Sequence, residues 1–141
     1  MHSRSLLNIL VTRILPKSTV YVKLKKNRLE ITDIDSGKTL VRDASIPFSN
    51  DRLLIAENIP AERLAKELIA ELLLHDKKLF NRPIRMVLQP VDPEITEVTA
   101  VERMIYQDFA LHAGARYFWL CEHQHPMSAQ EVLDFIELSR S

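Results

Sequence analysis

Residues 83–122 limit the possible folds more than any other stretch of this chain. Pro83-Ile84-Arg85-Met86-Val87-Leu88-Gln89 is a short apolar run, broken by Pro90 and Pro93. Residues 95–112 then carry apolar side chains at helical spacing, and Gly114 stops that helix. Ala115-Arg116-Tyr117-Phe118-Trp119-Leu120-Cys121 is a second apolar run. Two such strands joined by a helix form a βαβ unit, whose connection is expected to be parallel and right-handed. Everything else must pack around it.

Upstream, Thr19-Val20-Tyr21-Val22-Lys23-Leu24-Lys25 alternates and is rich in β-formers. Lys26-Asn27 marks a turn. Residues 28–34 alternate again, with Leu29, Ile31 and Asp33 on one side. Asp35-Ser36-Gly37 turns the chain into a third strand over 38–46. Three alternating runs with two tight turns make an antiparallel meander. Residues 47–59 read as irregular, with Leu53-Leu54-Ile55-Ala56 as a short strand. Pro60 opens a helix carrying Leu64, Leu68, Ile69 and Leu72, expected to reach His75 or Lys78. A last helix is expected from Pro126, with Ser128 as its cap and Val132, Leu133, Ile136 and Leu138 apolar.

The order is β-β-β-α-β-α-β-α. It predicts an α/β fold with a mixed five-stranded sheet, three strands antiparallel and two parallel, and helices on its faces. That order resembles the ribonuclease H-like arrangement that actin-like ATPases share. Residues 17–141 form one expected domain, since 141 residues suffice for a single core without metal or disulfide support.

Residues 1–16 are set apart as an N-terminal amphipathic segment. As a helix, Leu6, Leu7, Leu10, Val11 and Ile14 make one apolar face, with Asn8 and Thr12 opposite and Pro16 ending the segment. Such a face marks contact with a partner protein or with an anionic membrane surface. It is too short to span a bilayer and lacks a small-residue cleavage site, so a signal peptide is not expected. Nineteen basic residues balance nineteen acidic ones, which gives no support to nucleic-acid binding. The single cysteine, Cys121, lies in an apolar strand and reads as a buried thiol in a reducing cytoplasm.

The motifs point further. Ile95-Thr96-Glu97-Val98 opens the second helix, Ala113-Gly114-Ala115-Arg116 closes it, Leu120-Cys121-Glu122 ends the next strand, and Pro126-Met127-Ser128-Ala129 begins the last helix. In this order they resemble the bacterial actin homologue MreB, as does Thr19-Val20-Tyr21-Val22-Lys23 upstream. The resemblance runs through residues 17–135 and is specific over 83–129. It implies a shortened domain corresponding to subdomain IA, without an evident IB insertion between Ser49 and Ile59.

The departures bear on function. Actin-like ATPases hold phosphates on an Asp-x-Gly-Thr turn in the first hairpin and on a second glycine-rich loop. Here the first turn is Leu24-Lys25-Lys26-Asn27-Arg28, without glycine, threonine or a suitable aspartate, and only two glycines occur in all 141 residues, none in a second such loop. Glu122 matches the family position of the glutamate that orients the attacking water. That role needs phosphate and Mg²⁺ held beside it, so Glu122 is read as a vestige. His123-Gln124-His125 also makes the segment before Pro126 about two residues longer than the family pattern.

Other chemistries find less support. His123 and His125 form an H-x-H pair beside Glu122 and Cys121, but a structural zinc site needs four ligands and no second cluster is present. No serine sits in a G-x-S-x-G elbow. Asp33, Asp35 and Asp43 lie near the meander, yet the first strand carries no acid, as a metal-dependent nuclease of this fold would require. Lys23, Lys25, Lys26 and Arg28 make a basic hairpin tip. The reading is therefore of a non-enzymatic MreB-like domain without cofactor, working through protein contact, either with itself or with an actin-like cytoskeletal protein. It would be cytoplasmic, with peripheral membrane contact through residues 1–15 left open. The alternative is a remodelled phosphotransfer or hydrolytic enzyme with a site around Glu122, His123 and His125.

Overall fold

The computed structural model describes residues 17–74, 82–94 and 97–140. Along the chain the described elements are β1 (Ser18–Lys25), β2 (Arg28–Asp33), β3 (Thr39–Asp43), α1 (Asn58–Leu73), β4 (Ile84–Pro90), α2 (Ala100–His112), β5 (Ala115–Leu120) and α3 (Ala129–Arg140). The expected order is the observed one. The five strands form a single sheet in the order β3-β2-β1-β4-β5. β1 pairs antiparallel with β2 and parallel with β4, so it is both the centre of the sheet and the strand where its direction changes. Val22 has Ile31 beside it on one flank and Leu88 on the other.

Alternation along the strands sorts side chains onto two faces. Val20, Val22, Leu24, Leu29, Ile31, Met86 and Leu88 form one core with Leu68 of α1 and Phe109 of α2. Tyr21, Val87 and Cys121 point the other way and pack with Val132 and Ile136 of α3. Each large apolar side chain buried in this way contributes about 1.5–3 kcal/mol.

Turn chemistry sets the hairpins. Asn27 adopts φ 51°, a left-handed conformation that asparagine tolerates, which lets two residues connect β1 and β2. Gly37, at φ 77°, takes a left-handed conformation in the longer connection between β2 and β3.

Several boundaries differ from the expected ones. β3 stops at Asp43 rather than residue 46: the Ala44 N–H makes a last bond to the Asn27 carbonyl, and Ser45 and Ile46 lie beyond the strand. Leu53-Leu54-Ile55-Ala56 is not a strand. It is a compact loop in which Asn50 Oδ1 accepts the amides of Arg52 and Leu53, burying Leu54 and Ile55. α1 begins at Asn58, two residues before Pro60, whose missing N–H falls in the first turn, where no intrahelical acceptor exists. The expected extension of α1 to His75 or Lys78 lies outside the described residues.

α2 starts at Ala100, so Glu97 and Val98 precede the helix rather than open it. Thr99 fixes that start: its Oγ1 accepts the Glu102 amide at 3.2 Å, and the Glu102 side chain accepts the Thr99 amide at 3.3 Å. This reciprocal pair is a capping box. α3 likewise starts at Ala129 rather than Pro126, with Ser128 and Glu131 exchanging side-chain and backbone bonds.

Candidate functional site

In open α/β sheets ligands bind beyond the carboxyl ends of the strands, at the point where the strand order reverses. Here that place is the end of the sheet formed by Lys25 of β1, Pro90 of β4 and Leu120 of β5. Three connections surround it: the Lys26-Asn27 turn, the loop after β4 and the loop after β5. An open cleft of about 350 Å³ lies between the first two, lined by Lys25, Lys26, Arg28, Val91, Asp92 and Glu94.

The β1–β2 turn is tied to the segment below it. Asn27 Oδ1 accepts the amides of Phe48 and Ser49, both at 2.8 Å, and the Asn27 amide donates to Ser49 Oγ at 2.8 Å. Ser49 Oγ in turn donates to the Leu54 carbonyl at 2.5 Å. The Asn27 groups that a phosphate-binding turn would present to a ligand are thus engaged within the chain. Of the basic side chains that line the cleft, Arg28 and Lys26 are paired as well. Arg28 Nε donates to Asp43 at 2.6 Å, and that carboxylate holds the guanidinium pKa above its usual value. Lys26 Nζ lies 3.6 Å from Asp51, and Lys23 pairs with Glu30. Asp92 accepts the Glu94 amide at 2.9 Å, closing its own turn.

Glu122 lies just past the end of β5, exposed at the strand end as expected. Its Oε1 accepts from Arg103 Nη2 of α2 at 2.7 Å.

His123 and His125 come close to each other, with ring centroids 6.2 Å apart, and both are exposed. Their backbone carbonyls rather than their rings carry the contact that shapes the loop. Gln89, fully buried at the end of β4, donates its amide hydrogens to the carbonyls of His123 at 2.6 Å and His125 at 2.8 Å. Tyr21 donates its hydroxyl proton to Gln89 Oε1 and accepts the Met127 amide at 3.1 Å. Burial pushes the Tyr21 phenol above its ordinary value. This buried chain fixes the loop that follows β5, and sequence reasoning missed it. The signal was a lone glutamine ending an otherwise apolar strand.

Among the described residues no three of His, Cys, Asp and Glu gather as a metal site. The three aspartates near the meander do not converge. Asp33 holds the turn after β2 by accepting from Ser36 Oγ at 2.7 Å. Burial and the neighbouring Asp33 charge raise the Asp35 pKa. Asp43 stands at the opposite end of the meander, across from Arg28. Cys121 is fully buried, as its surroundings in the sequence suggest, and burial pushes its thiol up. The five candidate interaction residues Leu6, Leu7, Leu10, Val11 and Ile14 lie outside the described residues. No described helix is long and apolar enough to cross a membrane.

No family model matches the chain. Over 55 residues it is 34% identical to the uncharacterised protein YjaA of Escherichia coli (strain K12), a stretch that covers 39% of this chain and 42% of that protein. Among solved structures it is similar to the ethanolamine utilization protein EutJ from Carboxydothermus hydrogenoformans, with a TM-score of 0.50 and 18% identity. That match covers 82% of this chain and 42% of the EutJ chain. The chain therefore spans less than half the length of either protein. At this identity the likeness is one of fold. The mixed five-stranded sheet, with α1 and α2 on one face and α3 on the other, has the expected α/β fold of the actin-like, ribonuclease H-like kind.

Proposed function

We propose that this protein is a non-enzymatic, MreB-like member of the actin-like fold that has lost nucleotide binding and works by contacting protein. The observation that carries this reading is the β1–β2 turn. Where an actin-like ATPase wraps a phosphate, Asn27 is bonded to Phe48, Ser49 and Ala44 of its own chain. The pairing of Glu122 with Arg103 supports it from the loop after β5, since that carboxylate already accepts from a guanidinium of its own chain. Partners of the stated kind are a second copy of the chain or an actin-like filament protein, in the cytoplasm, with residues 1–15 as the proposed contact to a membrane surface.

Phosphate release from Mg²⁺-ATP by the full chain tests the non-enzymatic part. The expected rate equals the buffer blank and is unchanged in Glu122→Gln. Turnover that disappears in Glu122→Gln would overturn the reading and favour a remodelled site at that loop.

A further inference from the structure

Among the described residues β3 is an edge strand, and its register shows which of its backbone groups are paired with β2. The Ala44 N–H donates to the Asn27 carbonyl and the Asp33 N–H donates to the Lys38 carbonyl, both at 2.8 Å. Opposed residues in an antiparallel pair alternate between exchanging both backbone hydrogen bonds and exchanging none. With Arg42 opposite Leu29 and Leu40 opposite Ile31, Lys38, Leu40, Arg42 and Ala44 aim their N–H and C=O at β2. Thr39, Val41 and Asp43 aim theirs out of the sheet.

Protein edges of this kind are usually blunted by proline, a bulge or charge. β3 contains no proline, and its pairing with β2 runs through five residues without a register shift. Its two charged side chains are already neutralised within the chain. Arg42 makes a two-pronged pair with Glu71 of α1, at 2.6 and 3.2 Å, and Asp43 pairs with Arg28.

We propose that this edge pairs with β3 of a second copy, antiparallel about a two-fold axis at Val41, joining two sheets into one. The proposal deepens the protein-contact reading above and rests on it. Centring the axis on Val41 sets Val41 opposite Val41 and Thr39 opposite Asp43. All three pairs then join outward-pointing residues, so the three N–H and three C=O groups of each copy are satisfied together. An axis between two adjacent residues would set an outward residue against an inward one and lose those bonds.

The side chains agree with the backbone phase. Val41, 53% exposed, would meet its own copy on the open face, a favourable β-branched cross-strand pair. Thr39 faces Asp43, and Leu40 faces the stem of Arg42, so no like charges oppose each other. On the α1 side a groove of about 460 Å³ runs beside the edge, lined by Lys38, Leu40, Glu71, Leu72 and Leu74. The neutral, self-matching edge is what favours a second copy over an unrelated strand.

The test is sedimentation velocity with light scattering on the full chain. The wild type is expected to be a reversible dimer. Val41→Lys places two positive charges at the axis and should raise the dimer dissociation constant at least about tenfold. Val41→Pro removes an N–H that points away from β2, so it should weaken the dimer while circular dichroism stays that of the wild type. A third variant does not depend on disrupting anything. Val41→Cys should form a disulfide-linked dimer under mild oxidation, since opposed Cα atoms in such a pair lie about 5.5 Å apart. The native Cys121 is buried and should stay unlinked, and Val101→Cys, exposed on α2, should not link. A wild type that stays monomeric at ~100 µM, well above the range of specific dimers, overturns the proposal. A dimer untouched by Val41→Lys and not linked through Val41→Cys also overturns the edge, while leaving the protein-contact reading intact. ATP turnover would overturn that reading and leave the edge untouched.

Discussion

Arg103 Nη2 lies 2.7 Å from Glu122 Oε1, joining the first half of α2 to the loop after β5. Both side chains are about half exposed. Exposed pairs of this kind are worth about 0.2–1 kcal/mol. Arg103→Ala should therefore lower stability by less than about 1 kcal/mol in a urea titration. It should also fail to create ATP turnover, because freeing a carboxylate does not supply a phosphate cradle.

Tyr21 and Gln89 should matter more. Tyr21→Phe removes the donor to Gln89 Oε1, which sits in a fully buried side chain, and also the acceptor of the Met127 amide. Leaving a buried acceptor unmatched costs about 1–3 kcal/mol. The expected signature is that loss in denaturant, together with faster hydrogen exchange at the Met127 amide while the β1 amides stay protected.

The α2 cap gives a smaller, local effect. Thr99→Ala should cost about 1 kcal/mol by removing the side-chain half of the capping box, whereas Thr99→Ser should keep most of it. Thermal unfolding of the two variants beside the wild type checks the ranking.

Cys121 supplies a pH dependence. Its folded thiol pKa is raised, chiefly by burial, above that of the free thiol. The native state therefore keeps its proton after the unfolded chain has released its own near pH ~8.5. The stability contribution is full below that pH and falls as pH rises toward the folded value. Relative to Cys121→Ala, the wild type should lose stability as pH climbs above about 8.5. Thiol labelling of the native protein at pH 7 should be slow and become fast in denaturant.

Much of the fold is written in side-chain periodicity. The alternation of Val20, Val22 and Leu24 on one side, with Tyr21 on the other, marks β1 as a strand buried on both faces. The apolar runs around Met86 and Phe118 mark β4 and β5 as strands. Periodicity does not mark where a helix begins. Ile95 continues the helical spacing of α2, but the start is set by Thr99 and Glu102 bonding each other, a local polar event that a hydrophobic pattern does not contain. The candidate site was legible in part. Glu122 ends its strand as its place in the sequence suggests, yet its partner Arg103 is nineteen residues away on another element. Gln89 and His123 are thirty-four residues apart, and only the parallel pairing of β4 with β5 brings them together. The outward-facing groups of β3 depend on the phase of its ladder with β2, which strand alternation alone does not fix.

The loss of nucleotide binding is tested most directly by isothermal titration calorimetry of Mg²⁺-ATP into the full chain at protein concentrations near 100 µM. With Asn27 bonded to Phe48 and Ser49, the titration should give only heats of dilution. Saturable binding with a dissociation constant below ~100 µM, about −5.5 kcal/mol, would contradict it.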